Sequence, residues 1–261
     1  MKTETGKMKT VDGLSLSWKA WLPDGKPKAV LQVIHGYAEH IDRYAFVVNE
    51  LVPAGYALLG TDHRGHGKSD GRRAYVNCFQ EFIDDQRQFR DEVVQKFLSG
   101  IPYFVLGHSM GSLIAMNFAE QFPEGLRGLV LSGTGSAPGP EIGKPIVVAT
   151  KILSKILPKI HVKSPLPPEF ISRDTDVVKA YIADPLVFDV ITPRLAEQMN
   201  TYLAIGASNA GRIGVPVLIQ FGSTDTSFSG QKDLFDAIGA ADKTFKRYTG
   251  LKHEVYNELP P

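Results

Sequence analysis

A single cysteine, Cys78, occurs in 261 residues, so no disulfide can form within the chain. A lone thiol of this kind reads as a small, partly buried hydrophobe rather than as a nucleophile. An excess of either charge is also missing: 29 Lys and Arg stand against 28 Asp and Glu, a formal net charge of +1. That balance argues for no nucleic-acid partner and for no acidic tail. Long apolar runs are absent as well. None approaches the roughly 18 residues that a membrane-crossing helix requires. The polar, lysine-bearing start at residues 1–10 is not followed by the apolar stretch of a secretory signal. A soluble, cytoplasmic protein is expected. At 43% hydrophobic and 22% charged residues, a chain of this length can bury a sizeable core without cross-links or metals.

What the sequence does contain is a rhythm. Leu14-Ser15-Leu16-Ser17-Trp18 alternates apolar and polar residues, the pattern of a half-exposed strand. Continuous apolar runs follow at 29–34, 56–59, 103–106, 128–131 and 215–221. Strands covered on both faces, as in a mostly parallel sheet, have this composition. Helical patterns lie between them at 44–52, 79–98 and 111–121, the second with an apolar row at Phe82, Phe89, Val93 and Phe97. Alternation of this kind predicts βαβ units and a doubly wound α/β fold.

The rhythm breaks over 136–205. Prolines punctuate this stretch at 138, 140, 158, 165, 167 and 168, and no buried strand is evident. Ala149, Ile152, Leu153, Ile156, Leu157 and Ile160 make one apolar stripe, with Lys151, Lys155 and Lys159 opposite. The segment reads as a helical insertion over the sheet, dividing an α/β core at 1–135 and 206–261. Its apolar stripe is expected to shelter an apolar ligand beneath the insertion. The lysine row reads first as a solvated face, with contact to a lipid surface as the alternative.

The strongest chemical signal is Gly107-His108-Ser109-Met110-Gly111, a G-x-S-x-G pentapeptide. The bare pattern is common. Its setting is not, because it directly follows the apolar run Tyr103-Phe104-Val105-Leu106 and directly precedes a helical pattern from Leu113. A serine at the tip of such a strand-to-helix turn sits in a strained conformation and needs small neighbours. The turn lifts the hydroxyl off the sheet, and the following helix directs its N-terminus at a developing oxyanion. A capping serine in an ordinary turn is the competing interpretation.

With Ser109 stand two further blocks, His35-Gly36-Tyr37-Ala38-Glu39-His40 and Asp62-His63-Arg64-Gly65-His66-Gly67-Lys68-Ser69-Asp70-Gly71. On these three blocks the chain resembles the α/β-hydrolase superfamily, and within it the monoacylglycerol lipase and lysophospholipase-like serine esterases. The resemblance spans about residues 13–258 and is weakest over the insertion, for which it implies a helical cap. It also implies an acid and a histidine after the nucleophile, in that order. Asp225 in Gly222-Ser223-Thr224-Asp225 and His253 in Gly250-Leu251-Lys252-His253-Glu254 satisfy that order, each just past a predicted strand. Asp233 and Asp236 are the weaker choices for the acid. His35, His40, His63, His66 and His108 precede Ser109, and His161 falls in the insertion. The family pattern further implies an oxyanion hole built from the backbone N–H groups of Tyr37 and Met110.

The resemblance implies hydrolysis of carboxylic esters, monoacylglycerols or similar lipid esters, without cofactor or metal. The loop at 62–71, with its two histidines and two aspartates, resembles a structural element more than a metal site, and Asp62 and Arg64 are expected to tie loops together. A serine at 109 speaks against epoxide hydrolases and dehalogenases, which use an aspartate. Lysophospholipases, peptidases and C–C bond hydrolases keep the serine and stay open as alternatives, as does a binding protein on the same fold. The resemblance also implies a further amphipathic helix after the histidine. The chain reaches Pro261 eight residues past His253, and residues 257–261 look like the lead-in to that helix.

Overall fold

The computed structural model describes residues 1–98 and 100–259. Largely apolar runs make the central strands β3 (Val30–Ile34), β4 (Ala57–Thr61), β5 (Tyr103–His108), β6 (Leu126–Ser132) and β10 (Val217–Gly222). Every residue of β4 is buried, and those of β3 and β5 nearly so. Helices on both faces account for this. The chain begins with β1 (Lys2–Lys9) and β2 (Ser15–Leu22) and closes its sheet with β12 (Lys243–Tyr248). The eight strands are ordered β1-β2-β4-β3-β5-β6-β10-β12, with β1/β2 and β2/β4 antiparallel and every other pair parallel. This is the mostly parallel α/β sheet that the alternating pattern predicts.

Strand β1 was not predicted. Its sequence, KTETGKMK, is polar because it is an edge strand with only Met8 buried, and an exposed edge needs no apolar alternation. Its close approach to β2 uses Gly6, where a Cβ would meet the Trp18 ring at 2.5 Å. The predicted helix over 79–98 appears as α2 (Gln80–Phe89), a π-helical turn (Arg90–Val94) and α3 (Gln95–Leu98). Phe82, Phe89 and Val93 are buried and Phe97 partly so. Helix α1 (Ala45–Leu51) follows β3, and α4 (Met110–Gln121) follows β5. Ten of the twelve residues of α4 are buried, which is why it reads as apolar all round.

Between β6 and β10 lie the two-residue strand β7 (Ala137–Pro138), helix α5 (Lys144–Ile156), the short strand β8 (Val162–Lys163), α6 (Thr175–Ala183), the short strand β9 (Val190–Ile191) and α7 (Pro193–Asn209). Strand β7 pairs with β11 (Phe228–Ser229), which precedes α8 (Gln231–Ala237), and β8 pairs with β9. The expected boundary at 205 falls inside α7, which seats Gly206 against Met116 and Asn117 of α4. Sequence reasoning misjudged the stripe on α5. Ile152 is 55% exposed and Ile156 67%, and the only buried residue of the helix is Ser154. The apolar face points outward, so it does not shelter a ligand beneath it. Periodicity identifies an apolar face but not what that face meets. No helix among the described residues is long and apolar enough to cross a membrane.

Candidate active site

Parallel strands bring their following loops to one edge. Gly36 and Tyr37 follow β3, Ser109 follows β5, Asp225 follows β10 and His253 follows β12. All except Asp225 line one cavity of about 600 Å³, roofed by residues of the segment between β6 and β10. That volume suits a small-molecule ligand. Leu113, Phe170, Tyr181, Phe188, Met199 and Leu203 are among the side chains that make its wall.

Ser109 follows β5 and caps α4 with φ 55° and ψ −123°, a region that costs a non-glycine residue about 1–3 kcal/mol. The turn closes only because its flanks are glycine. A Cβ on Gly111 would lie 2.0 Å from the Ile34 carbonyl oxygen and 2.4 Å from that of His35. Ser109 is held by its own N–H, which donates to the Ser132 carbonyl at 3.0 Å. Among the described residues, neither the Met110 N–H nor the Tyr37 N–H donates to a protein acceptor. A Cβ on Gly36 would lie 3.2 Å from the Ser109 Cβ, so the loop after β3 passes directly over the serine.

His253 Nδ1 lies 2.8 Å from Asp225 Oδ2, and both side chains are almost wholly buried. Asp225 also accepts the Ser227 N–H at 2.9 Å. Burial opposes the ionisation of Asp225, but the His253 ring and these hydrogen bonds outweigh it and take the carboxyl down to about 2. Burial likewise opposes the imidazolium of His253, yet the Asp225 carboxylate holds its pKa above the ordinary value. Nδ1–H donates to Asp225, which leaves Nε2 as the basic nitrogen. The ring is boxed by His108 at 4.7 Å and Phe170 at 5.0 Å between centroids. Behind it Gly133 leaves the room it needs, since a Cβ there would meet His253 Cε1 at 2.9 Å.

Histidines also fix the loop after β3. His63 Nε2–H donates to the His35 carbonyl at 2.9 Å, and His35 Nε2 accepts the His63 N–H at 3.0 Å. His35 Nδ1–H is then free to donate to the Gly36 carbonyl at 2.7 Å. His35 must be neutral for this pattern, and His63, whose Nδ1 lies 3.4 Å from Gln86 Nε2, fits it as a neutral ring. Burial keeps them so, taking His63 down to about 4 and His35 well below its ordinary value, where the neighbouring histidines add to the effect. Asp62 accepts the Ile41 and Lys68 N–H groups, and Arg64 grips Asp85 through two bonds of 2.7 and 2.8 Å while reaching Asp12 and Glu81. Asp62 and Arg64 thus tie loops together as expected.

Sequence reasoning overlooked a buried charge cluster beside the site. Glu39 accepts the Gly36 N–H at 2.5 Å and the Tyr44 hydroxyl at 3.0 Å. Arg43 bridges Glu39 at 2.9 Å and grips Glu254 through bonds of 2.6 and 2.8 Å. The i,i+4 spacing of Glu39 and Arg43 and the adjacency of Glu254 to His253 were the available signals. The same loop anchors the segment above it: His40 Nε2 lies 2.8 Å from Asp184, the Tyr37 hydroxyl donates to the Val190 carbonyl, and the Ala38 carbonyl accepts the Phe188 N–H.

Residues 25–260 match the family described as serine aminopeptidase, S33. The chain is 34% identical to the monoacylglycerol lipase of Mycolicibacterium smegmatis, over 95% of this chain and 89% of that protein. It is 33% identical to the monoglyceride lipase of Homo sapiens, over 95% and 83%. Among solved structures, the Paleococcus ferrophilus monoacylglycerol lipase superimposes with a TM-score of 0.82 at 29% identity, covering 99% of this chain and 93% of that one. A soluble variant of the Saccharomyces cerevisiae monoglyceride lipase, in complex with a substrate analogue, gives 0.85 at 25% identity, over 96% and 88%.

Proposed function

From a chain that belongs to the serine aminopeptidase S33 family of α/β-hydrolases, we propose a lipid ester hydrolase that acts on monoacylglycerols through an acyl-enzyme on Ser109. The observation that carries the reading is that a serine on a strained turn and an imidazole tied to Asp225 at 2.8 Å both line one largely apolar cavity. In this reading His253 Nε2 takes the Ser109 proton as Oγ attacks the ester carbonyl carbon. The negative oxygen of the tetrahedral intermediate receives the Tyr37 and Met110 N–H groups, donors worth about 10²–10³ in rate each. Collapse breaks the bond to the alkoxy group, which leaves as the alcohol with the proton from His253. Water, deprotonated by the same nitrogen, then attacks the acyl carbon, and the bond to Ser109 Oγ breaks as Oγ takes that proton back from His253 and the carboxylic acid leaves. Asp225 fixes the tautomer and stabilises the imidazolium throughout.

The family's description names an aminopeptidase, and the site offers a reason to prefer an ester. An aminopeptidase needs a carboxylate free to receive the substrate's ammonium group. Of the three acidic residues on the cavity wall, Glu39 and Glu254 are both engaged by Arg43, and only Asp189, just before β9 and outside the loops that carry Ser109 and His253, has no ion pair among the described residues. An acyl chain against apolar walls suits this cavity better. Residues 136–205 serve in this reading as a helical cap. Its outward apolar face on α5, flanked by exposed lysines, suits transient contact with a lipid surface. A cytoplasmic location belongs to the same reading and is tested by fractionation.

A series of glyceryl monoesters of increasing chain length, set against triacylglycerols, phospholipids and aminoacyl amides, tests the assignment. Monoesters should be turned over fastest, Ser109→Ala should remove nearly all activity, and a fluorophosphonate should label the wild type only. Preferred cleavage of aminoacyl amides would overturn it.

A further inference from the structure

Two loops must hold a fixed relation for the proposed chemistry: the loop after β3, which carries the Tyr37 N–H, and the loop after β12, which carries His253. They come from positions more than 200 residues apart, and the sheet between them does not by itself set their separation. We propose that Arg43 is a positioning residue for ester hydrolysis, its guanidinium locking the oxyanion loop to the histidine loop and both to the cap. The proposal rests on the reading of Ser109, Tyr37, Met110 and His253 given above.

The geometry supplies each link. Toward the first loop, Arg43 Nη1 holds Glu39, whose other oxygen accepts the N–H of Gly36, one residue before Tyr37. That loop needs holding. Ala38 has a φ of 65°, unfavourable for a residue with a Cβ. Toward the second loop, both terminal nitrogens of Arg43 grip Glu254, the residue after His253. Glu254 is fixed in turn by its own N–H to the Ile171 carbonyl at 2.8 Å and by Asn257 Nδ2–H at 2.8 Å. Toward the cap, the guanidinium lies 4.6 Å from the centre of the Tyr181 ring on α6, and Tyr181 lines the cavity.

The three charged groups are buried together, with side-chain exposures of 4% for Glu39, 10% for Arg43 and 6% for Glu254. Burial of ions at this depth is costly and is a poor route to stability. A forked cation between two carboxylates does provide directional bonds that a point charge cannot supply. Burial pushes Glu39 toward its neutral form, with Arg43 opposing. Burial also works against Glu254, but the Arg43 fork prevails and holds that carboxyl below its usual range.

The test uses the full chain and a soluble p-nitrophenyl ester. Arg43→Ala should keep its fold by circular dichroism and lose about 10²-fold in kcat, with KM changed by less than about threefold. Arg43→Lys should recover only part of this. Methylguanidinium should raise the kcat of Arg43→Ala in a saturable way and leave the wild type unchanged. A folded Arg43→Ala with near wild-type kcat, a loss confined to KM, or a loss that methylguanidinium does not restore would overturn the proposal. Should Arg43→Ala fail to fold, Glu254→Gln carries the test, with a fall of about tenfold or more in kcat expected and an unchanged kcat refuting. Ser109→Ala and fluorophosphonate labelling keep the two readings apart: full activity in Ser109→Ala sinks the assignment of the nucleophile, whatever Arg43 does.

Discussion

Mild acid should destabilise this protein, and the size of the effect follows from its buried histidines. His63, His66 and His108 are fully buried and held to about 4, 3 and 3, first by burial and then, for His66 and His108, by a neighbouring histidine. Unfolded, each takes up a proton near its ordinary pKa of 6.5. Between pH 6.5 and 4 the unfolded chain therefore binds more protons than the folded one, and stability falls as pH falls. At pH 5 all three folded-state values lie below the pH, so the cost is governed by the unfolded value alone. It comes to about 2 kcal/mol per histidine relative to pH 7, or about 6 for the three. His35 adds to the loss. Asp85 and Glu39, raised by burial, and His253, raised by Asp225 against its burial, gain protons on the folded side and return part of it. The net should be a loss of about 3 kcal/mol or more, a large fraction of a typical domain's total stability. Urea unfolding followed by tryptophan fluorescence at pH 7, 6 and 5, at constant ionic strength, measures it. His66→Phe should reduce the slope by about 1.4 kcal/mol per pH unit, one proton's worth. Equal stability at pH 7 and 5, or an unchanged slope in His66→Phe, would refute the reasoning.

Three shorter expectations accompany it. Asp225→Asn should cost about 10⁴ in kcat, because an amide can donate to Nδ1 and stabilise the wrong tautomer; stopped-flow hydrolysis of an activated ester reads the loss. Gly111→Ala places a methyl 2.0 Å from the Ile34 carbonyl oxygen, so α4 must retreat from β3 at a cost of about 3 kcal/mol or more; thermal melting and fluorophosphonate labelling should both fall. The double variant Ile152→Glu, Ile156→Glu alters only exposed positions. It should weaken vesicle binding and the turnover of vesicle-borne monoacylglycerol while leaving soluble-ester hydrolysis within about twofold.

The sheet was legible because its central strands are apolar on both faces, and a doubly covered strand leaves an uninterrupted run such as Val217-Leu218-Ile219. Ser109 was legible because a tight strand-to-helix turn leaves glycines at fixed offsets. Edge strand β1 was not, since solvent on one side removes the periodic signal. The face of α5 was misjudged for a related reason: an apolar stripe carries no information about which of two surroundings it meets, and here it meets solvent. Asp225 and His253 could be picked out only through chain order, and their contact at 2.8 Å depends on two loops that the sequence does not relate.

Arg43 and Glu254 illustrate a deeper limit. Charged residues in loops read as solvated, because isolated ions are almost never buried. Here they are buried because each satisfies the others, and that condition is met only after residues 211 positions apart have been brought together. The arrangement also concentrates function on one segment. Residues 36–43 hold the proposed oxyanion donor, the strained Ala38 that presents it, the cation that ties it to the histidine loop, and three anchors of the segment between β6 and β10 through His40, Tyr37 and Ala38. In the proposed reading, substrate cover and transition-state stabilisation are therefore built on a single loop. A shift of the segment between β6 and β10 must act on Tyr37 directly through its bond to Val190, and under the proposal the Glu39–Arg43–Glu254 bridge is the contact that resists it.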